Sequence, residues 1–251
     1  MSRHKHSRMA SARLDAAGTM LSFRQVENGS FLAPGLALIF DMDGVLIDST
    51  AIHTKAWDLY LERLGISDGD LMSRMLGKRN DQIVTALFGD QLPKEEVVRH
   101  GAAKEQLYRD LMDPVFERFV VAGVCEFVEQ AHRQGIPLGL ATNAEPANVE
   151  FVLRRTGLKG KFASIVDGHQ IENPKPSPDI YTEVARRLGV APANCVVFED
   201  SPGGMTAALA SGARLVAVLT TMNEAPGSAL AIPDFSDERL LPWLKSLTPL
   251  R

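Results

Sequence analysis

The sequence predicts an α/β protein: a Rossmann-like parallel sheet with helices on both faces, and a small helical cap domain inserted after the first strand. Three observations carry this. Short apolar runs alternate with helical stretches along most of the 251 residues, and that alternation implies a parallel sheet. Several of the runs end in carboxylates, a hydroxyl or an amide. One long segment, residues 51 to about 119, has helical patterns and no convincing strand.

The first strand spans 36–41, where Leu36 to Phe40 are followed by Asp41. Helical patterns follow at 50–64, 80–88 and 94–112. The connections of this segment to the rest fall near Ser49-Thr50 and Phe119-Gly123. Beyond it, helices near 123–134, 146–157, 178–188 and 203–211 separate strands at 137–142, 163–167, 195–199 and 214–219. Gly135, Gly157, Gly189 and Gly212 stand where those helices stop, as glycine does past a helix end. The expected core domain is therefore 33–50 with 120–251, and the expected cap is 51–119. The cap has two readings. It is a lid over the carboxylates beside it, or a helical subdomain that only covers the sheet edge.

Bulk properties narrow the class. The length suffices to bury a sizeable core, and the composition is ordinary for a soluble globular protein. The net charge of −4 provides no basic face for nucleic acid. No apolar run approaches the roughly 20 residues of a membrane span. Cys125 and Cys195 are far apart in apolar settings and read as small buried hydrophobes. A reducing cytoplasm is the expected compartment, and a monomer or homodimer the expected state. Residues 1–32 read as a disordered extension. Met1 to Arg24 carries five Lys or Arg, two His and one Asp. It lacks the apolar region of a secretory signal. Its Arg- and Ser-rich character also suits a transit peptide, and Met20 offers an alternative start.

The candidate chemistry lies at strand and loop ends. Asp41 and Asp43 flank Met42 ahead of Gly44; side chains two apart in a strand share a face. Such a pair could hold a hard cation, a nucleophile and a proton donor, or simply form an Asp-rich turn. A second apolar strand ends in Glu199-Asp200-Ser201, before a glycine-rich helix start. A third ends in Thr142-Asn143, which also suits a helix N-cap. Lys175 sits among prolines in Asn173-Pro174-Lys175-Pro176; alone it would be an exposed loop lysine. Together these residues make an inventory for phosphate and metal.

These motifs, Asp41-Met42-Asp43-Gly44, Thr142-Asn143, Lys175 and Glu199-Asp200, resemble the four motifs of the haloacid dehalogenase-like superfamily of phosphotransferases in order and separation. The resemblance covers roughly residues 36 to 220. It implies that Asp41 attacks phosphorus and that Asp43 protonates the leaving oxygen, then deprotonates water. It implies Mg²⁺ held by Asp41, Asp200 and the backbone carbonyl of Asp43, with help from Glu199. Thr142, Asn143 and Lys175 would bind the phosphoryl oxygens. Dehalogenases and phosphonoacetaldehyde hydrolases of the family lack the second acid, so Asp43 implies phosphoryl transfer.

In the cap, His53-Thr54-Lys55-Ala56-Trp57 and Gly77-Lys78-Arg79-Asn80-Asp81 resemble the beta-phosphoglucomutase and sugar-phosphate phosphatase group. That resemblance implies substrate contacts at His53 and Arg79. The structural alternatives are that Trp57 packs inside the cap and Lys78-Arg79 forms a solvated loop. Glu145 stands where the mutase carries a lysine for its distal phosphate. Ser49, where the mutase has threonine, is a weaker departure. The expected activity is hydrolysis of a small phosphorylated metabolite, a sugar phosphate. The alternatives are a phosphosugar mutase and an inactive binding or regulatory protein on the same scaffold.

Overall fold

The computed structural model describes residues 30–66 and 78–250. Most of the expected extension (1–29) and Gly77 lie outside the described residues. Among those described, six parallel strands form one sheet in the order β3-β2-β1-β4-β5-β6. They are β1 (Ala37–Phe40), β2 (Leu138–Ala141), β3 (Ser164–Val166), β4 (Cys195–Glu199), β5 (Arg214–Val218) and β6 (Leu230–Ile232). The helices are α1 (Thr50–Arg63), α2 (Asn80–Phe88), α3 (Lys94–Met112), α4 (Val124–Arg133), α5 (Pro146–Thr156), α6 (Asp179–Leu188), α7 (Pro202–Ala210) and α8 (Leu240–Ser246).

Strand alternation divides the core. Leu38, Phe40, Val196 and Phe198 face one layer, with Phe127 of α4, Val152 of α5 and Leu244 of α8. Ala37, Ile39, Cys195 and Val197 face the other, with Tyr181 and Val184 of α6 and Ala207 of α7. The sheet is thus buried on both faces, which explains its continuous apolar runs. Phe40 and Phe198 are register partners, stacked with ring centroids 4.8 Å apart. Phe127 and Phe235 pack around them. This aromatic cluster fixes the ends of β1 and β4 side by side, where Asp41 and Glu199-Asp200 emerge.

The helical segment between β1 and α4 has an apolar cluster of its own: Trp57, Leu61, Ile83 and Val84. Trp57 therefore packs inside that segment. Tyr108 and Met112 of α3 join the main core.

Two expectations need correction. Phe31 and Leu32, grouped with the extension, are buried in the core. Phe31 packs 5.3 Å from the Phe127 ring, and its backbone N–H donates to Gln134 Oε1 at 2.9 Å. The sheet also continues past 219: β6 pairs with β5, and α8 follows it.

Candidate active site

The strand order reverses around β1, which lies between β2 and β4. A crevice opens at such a switch point, at the carboxyl ends of the strands. Asp41 follows β1, Thr142 follows β2, Glu199 ends β4 and Asp200 follows it. Lys175 arrives from the loop between β3 and α6. All five line one cavity, with Asp43 and Asn143.

Lys175 is the hub. Its Nζ donates to Asp41 Oδ1 at 2.6 Å, to Glu199 Oε1 at 2.6 Å and to the Ala141 carbonyl at 3.1 Å. Burial works against its charge, but Asp41 and Glu199 outweigh it and hold the ammonium above its usual range. Glu199, fully buried, spends both oxygens on protein donors. Oε1 also accepts from the Tyr181 hydroxyl at 2.9 Å. Oε2 accepts from the Asp200 and Ser201 backbone N–H groups at 2.8 and 2.9 Å, and from Ser201 Oγ at 3.1 Å. Burial raises the Glu199 carboxyl, but Lys175 and these donors win and lower it.

Asp41 and Asp200 experience the opposite balance. Burial pushes Asp41 up to about 7; Lys175 opposes this, while Glu199 and Asp43 add to it. Asp200 is raised well above the carboxylate range by burial, then by Glu199 and Asp41. One oxygen from each of Asp41, Glu199 and Asp200 lies within 4.8 Å of the others. Three buried carboxylates against one lysine leave an excess of negative charge that a divalent cation would cancel. All-oxygen donors suit a hard ion such as Mg²⁺, so the residues fit the metal that the sequence implies.

Two glycines make room. Gly44 has φ +79°, and a Cβ there would collide with the Asp200 carboxylate. A Cβ on Gly204 would overlap the Glu199 carboxylate. Thr142 Oγ1 accepts the Ala144 N–H at 3.1 Å, so its own O–H can donate to an anion in the cavity.

Asp43 is partly exposed at the cavity wall. Ser49 Oγ donates to its Oδ1 at 2.6 Å, and His53 Nε2 lies 3.5 Å from the same oxygen. Lys104 Nζ is 3.0 Å from His53 Nδ1. An ammonium only donates, so Nδ1 offers a lone pair and the Nε2 proton faces Asp43.

Lys104 belongs to a group that the sequence reading did not single out. Lys104, Glu105 and Asn80 line the cavity from the helical segment between β1 and α4, and Asn148 lines it from α5. A Lys-Glu pair in a charged helix reads as solvated surface. One signal was available: Gly101, Lys104, Glu105, Tyr108 and Met112, buried on α3 together with Leu107, recur at helical spacing. Burial alone would raise the Glu105 carboxyl, but Lys104, His53 and the hydrogen bonds from Lys104 and Asn148 bring it to about 2.

Arg79 takes a place other than the expected one. It does not line the cavity. Its guanidinium donates to the Gly168 carbonyl at 2.8 Å and to Asp81 at 2.6 and 3.1 Å. It therefore ties the start of α2 to the loop after β3. Its neighbours Lys78 and Asn80 face the cavity instead.

Comparison with known proteins agrees with this geometry. Residues 36–212 match the family described as haloacid dehalogenase-like hydrolase. The fructose-1-phosphate phosphatase YqaB of Escherichia coli (strain K12) is 33% identical over 184 residues, covering 72% of this chain and 95% of that protein. The beta-phosphoglucomutase of Bacillus subtilis (strain 168) is 29% identical, covering 72% and 82%. A crystal structure of beta-phosphoglucomutase from Clostridium difficile superposes with a TM-score of 0.70 at 25% identity, covering 83% of this chain and 96% of that one. Among the described residues no helix is long and apolar enough to cross a membrane. With its strand-end acids, its lysine and its matched span in agreement, the chain belongs to the haloacid dehalogenase-like hydrolase family.

Proposed function

We propose that this protein is a Mg²⁺-dependent phosphatase that hydrolyses a small phosphorylated metabolite, a sugar phosphate, through an aspartyl phosphate on Asp41. The observation that carries the reading is the buried junction of Asp41, Asp200 and Glu199 with Lys175 at the sheet's switch point.

Phosphate monoesters are inert enough that their hydrolysis needs some of the largest accelerations known. Splitting the displacement in two lowers the barrier. An Asp41 oxygen attacks phosphorus and the ester P–O bond breaks. The departing oxygen takes its proton from Asp43. Asp43 then removes a proton from water, which attacks the aspartyl phosphate, releases phosphate and restores Asp41. Thr142 and the Asn143 backbone donate to the phosphoryl oxygens. Lys175 balances their charge. Asp41, Asp200 and the Asp43 backbone carbonyl would hold Mg²⁺, which would supply positive charge to offset that of the attacking carboxylate and the phosphoryl oxygens. Glu199 supports the site by holding Lys175 and the Asp200 backbone.

The helical segment 51–119 is the cap, and its wall chooses the ester. His53 and Lys104 meet the part of the substrate beyond phosphorus. The compartment is cytoplasmic. Relatives named as phosphatases of phosphorylated sugars support hydrolysis. A relative named as a mutase keeps isomerisation as the second reading. Glu145 disfavours it, because an anion rather than a cation stands at the cap boundary, bonded to Asn80 at 2.8 Å.

A panel of phosphorylated metabolites with Mg²⁺, read for phosphate release and for isomerisation, tests this. Release from one or more sugar phosphates is expected. Conversion of beta-glucose 1-phosphate to the 6-phosphate, primed with the bisphosphate and faster than release, would establish the mutase. No turnover of any ester, a generic aryl phosphate included, would leave a binding protein.

A further inference from the structure

Glu105 is nearly fully buried and touches three elements beyond its own turn. Its Oε1 accepts from Lys104 Nζ at 2.6 Å and from Asn80 Nδ2, at the start of α2, at 2.7 Å. Its Oε2 accepts from Asn148 Nδ2, on α5 of the sheet domain, at 2.6 Å. The same Oε2 is 3.9 Å from His53 Nδ1 of α1. The orientation of Asn148 is set independently, because Arg109 Nη1 donates to its Oδ1 at 2.7 Å. Asn148 must therefore present its NH₂ to Glu105. Glu105 in turn needs two acceptor oxygens, which only a carboxylate supplies.

Lys104 depends on this arrangement. Its ammonium sits between Glu105 and His53 Nδ1, 5.1 Å above the Trp57 ring. Without the carboxylate it would be a buried, unpaired cation, which proteins avoid at considerable cost. His53 is oriented toward Asp43 by Lys104. The chain of contacts thus runs from α5 of the core through Glu105 to Lys104, His53 and Asp43.

We propose that Glu105 is a positioning residue: by joining Asn148 of the core to Asn80 and Lys104 of the cap, it seats the cap and aims Lys104 and His53 at the part of the substrate beyond its phosphate. The inference rests on the phosphatase reading above.

Glu105→Gln tests it, because glutamine keeps the volume but has one acceptor oxygen. Either Asn148 or the Asn80–Lys104 side loses its partner. The readout is the ratio of kcat/KM for the best sugar phosphate of the panel to kcat/KM for para-nitrophenyl phosphate, which has no hydroxyls for Lys104 and His53 to meet. A buried hydrogen bond to a charged group corresponds to a factor of about 10 to 100, so this ratio is expected to fall about tenfold or more. Asn148→Ala removes the same bond from the core side and should lower the ratio in the same direction. The double variant should fall no further than the larger single effect, since both act through one contact. A merely structural Glu105 would lower both activities together. A ratio within about twofold of wild type in both variants, or single effects that multiply in the double, would overturn the proposal. If Glu105→Gln gives no cooperative melt, Asn148→Ala decides by the same ratio. An active wild type with an unmoved ratio overturns this inference alone. A wild type inactive on every ester overturns the phosphatase reading and this inference together.

Discussion

The cavity has two charged walls built on opposite principles. On the sheet side, Asp41, Glu199 and Asp200 surround one lysine, and two of the acids are driven up in pKa by burial and mutual repulsion. On the opposite side, Lys104 pairs with Glu105, the amides of Asn80 and Asn148 donate to that acid, and the acid is driven down. The lesson concerns the charge that each wall carries. The sheet side carries an excess of negative charge that a divalent cation would cancel. The helical side pairs its buried Lys104 with Glu105, and Lys78 lines the cavity beside them.

The sharpest way to break this contrast is at Asp41. Asp41→Asn should abolish phosphate release, because an amide does not attack phosphorus. In EDTA its melting temperature should equal or exceed that of wild type, since one of three repelling buried carboxylates is gone. Asp43→Asn should slow turnover by about 10²–10⁴-fold. Steady-state kinetics with thermal melts decides both, and full activity in Asp41→Asn would remove the covalent mechanism.

Metal separates the walls next. Mg²⁺ at a hundred times its Kd should stabilise the wild type by about 2.7 kcal/mol, a rise of roughly 5–10 °C for a chain of this size. Asp200→Asn should lose most of that rise, and Glu105→Gln should keep it. Scanning calorimetry with and without Mg²⁺ measures both. An equal loss in the two variants would mean that the walls are not independent.

Acid titrates the wall that holds Glu105. Glu105 is held near 2 against an ordinary value of 4.5. Between those values the unfolded chain binds more protons than the folded one, so stability rises with pH there. The contribution, on the order of 3 kcal/mol, is fully present above about pH 4.5 and lost as pH falls toward 2. The melting-temperature gap between wild type and Glu105→Gln should therefore narrow from pH 5 to pH 2.5. A constant gap would show that Glu105 does not act through its charge.

The smallest expected effect is at Arg79. Its bond to the Gly168 carbonyl joins the start of α2 to the loop after β3 from outside the cavity. Arg79→Ala should raise KM by up to about tenfold, the scale of one hydrogen bond, and leave kcat within about threefold. A collapse of kcat with unchanged KM would place Arg79 in the chemistry after all.

Much of this was legible in the chain. Asp41, Thr142, Lys175 and Asp200 end strands or loops, and a parallel sheet brings strand ends together whatever the loops do. The helix stops at Gly135, Gly157, Gly189 and Gly212 all have positive φ, a conformation that glycine adopts without strain. Local composition determined these features, because they depend on period and on single residues.

Other features depend on which surfaces meet. Glu199 ends its strand as a plain acid in the sequence, and only the approach of Lys175, Tyr181 and the turn at Ser201 consumes both of its oxygens. Arg79 and Asn80 are adjacent, yet one grips a core carbonyl and the other faces the cavity. Lys104-Glu105 looked like solvated surface until α1, α2 and α5 closed around it. The sequence by itself determined the fold and the acid-and-lysine inventory, through periodicity and residue type. Tertiary structure alone decided the partners of each charge, because burial and pairing arise between segments distant in the chain, where no local pattern records them.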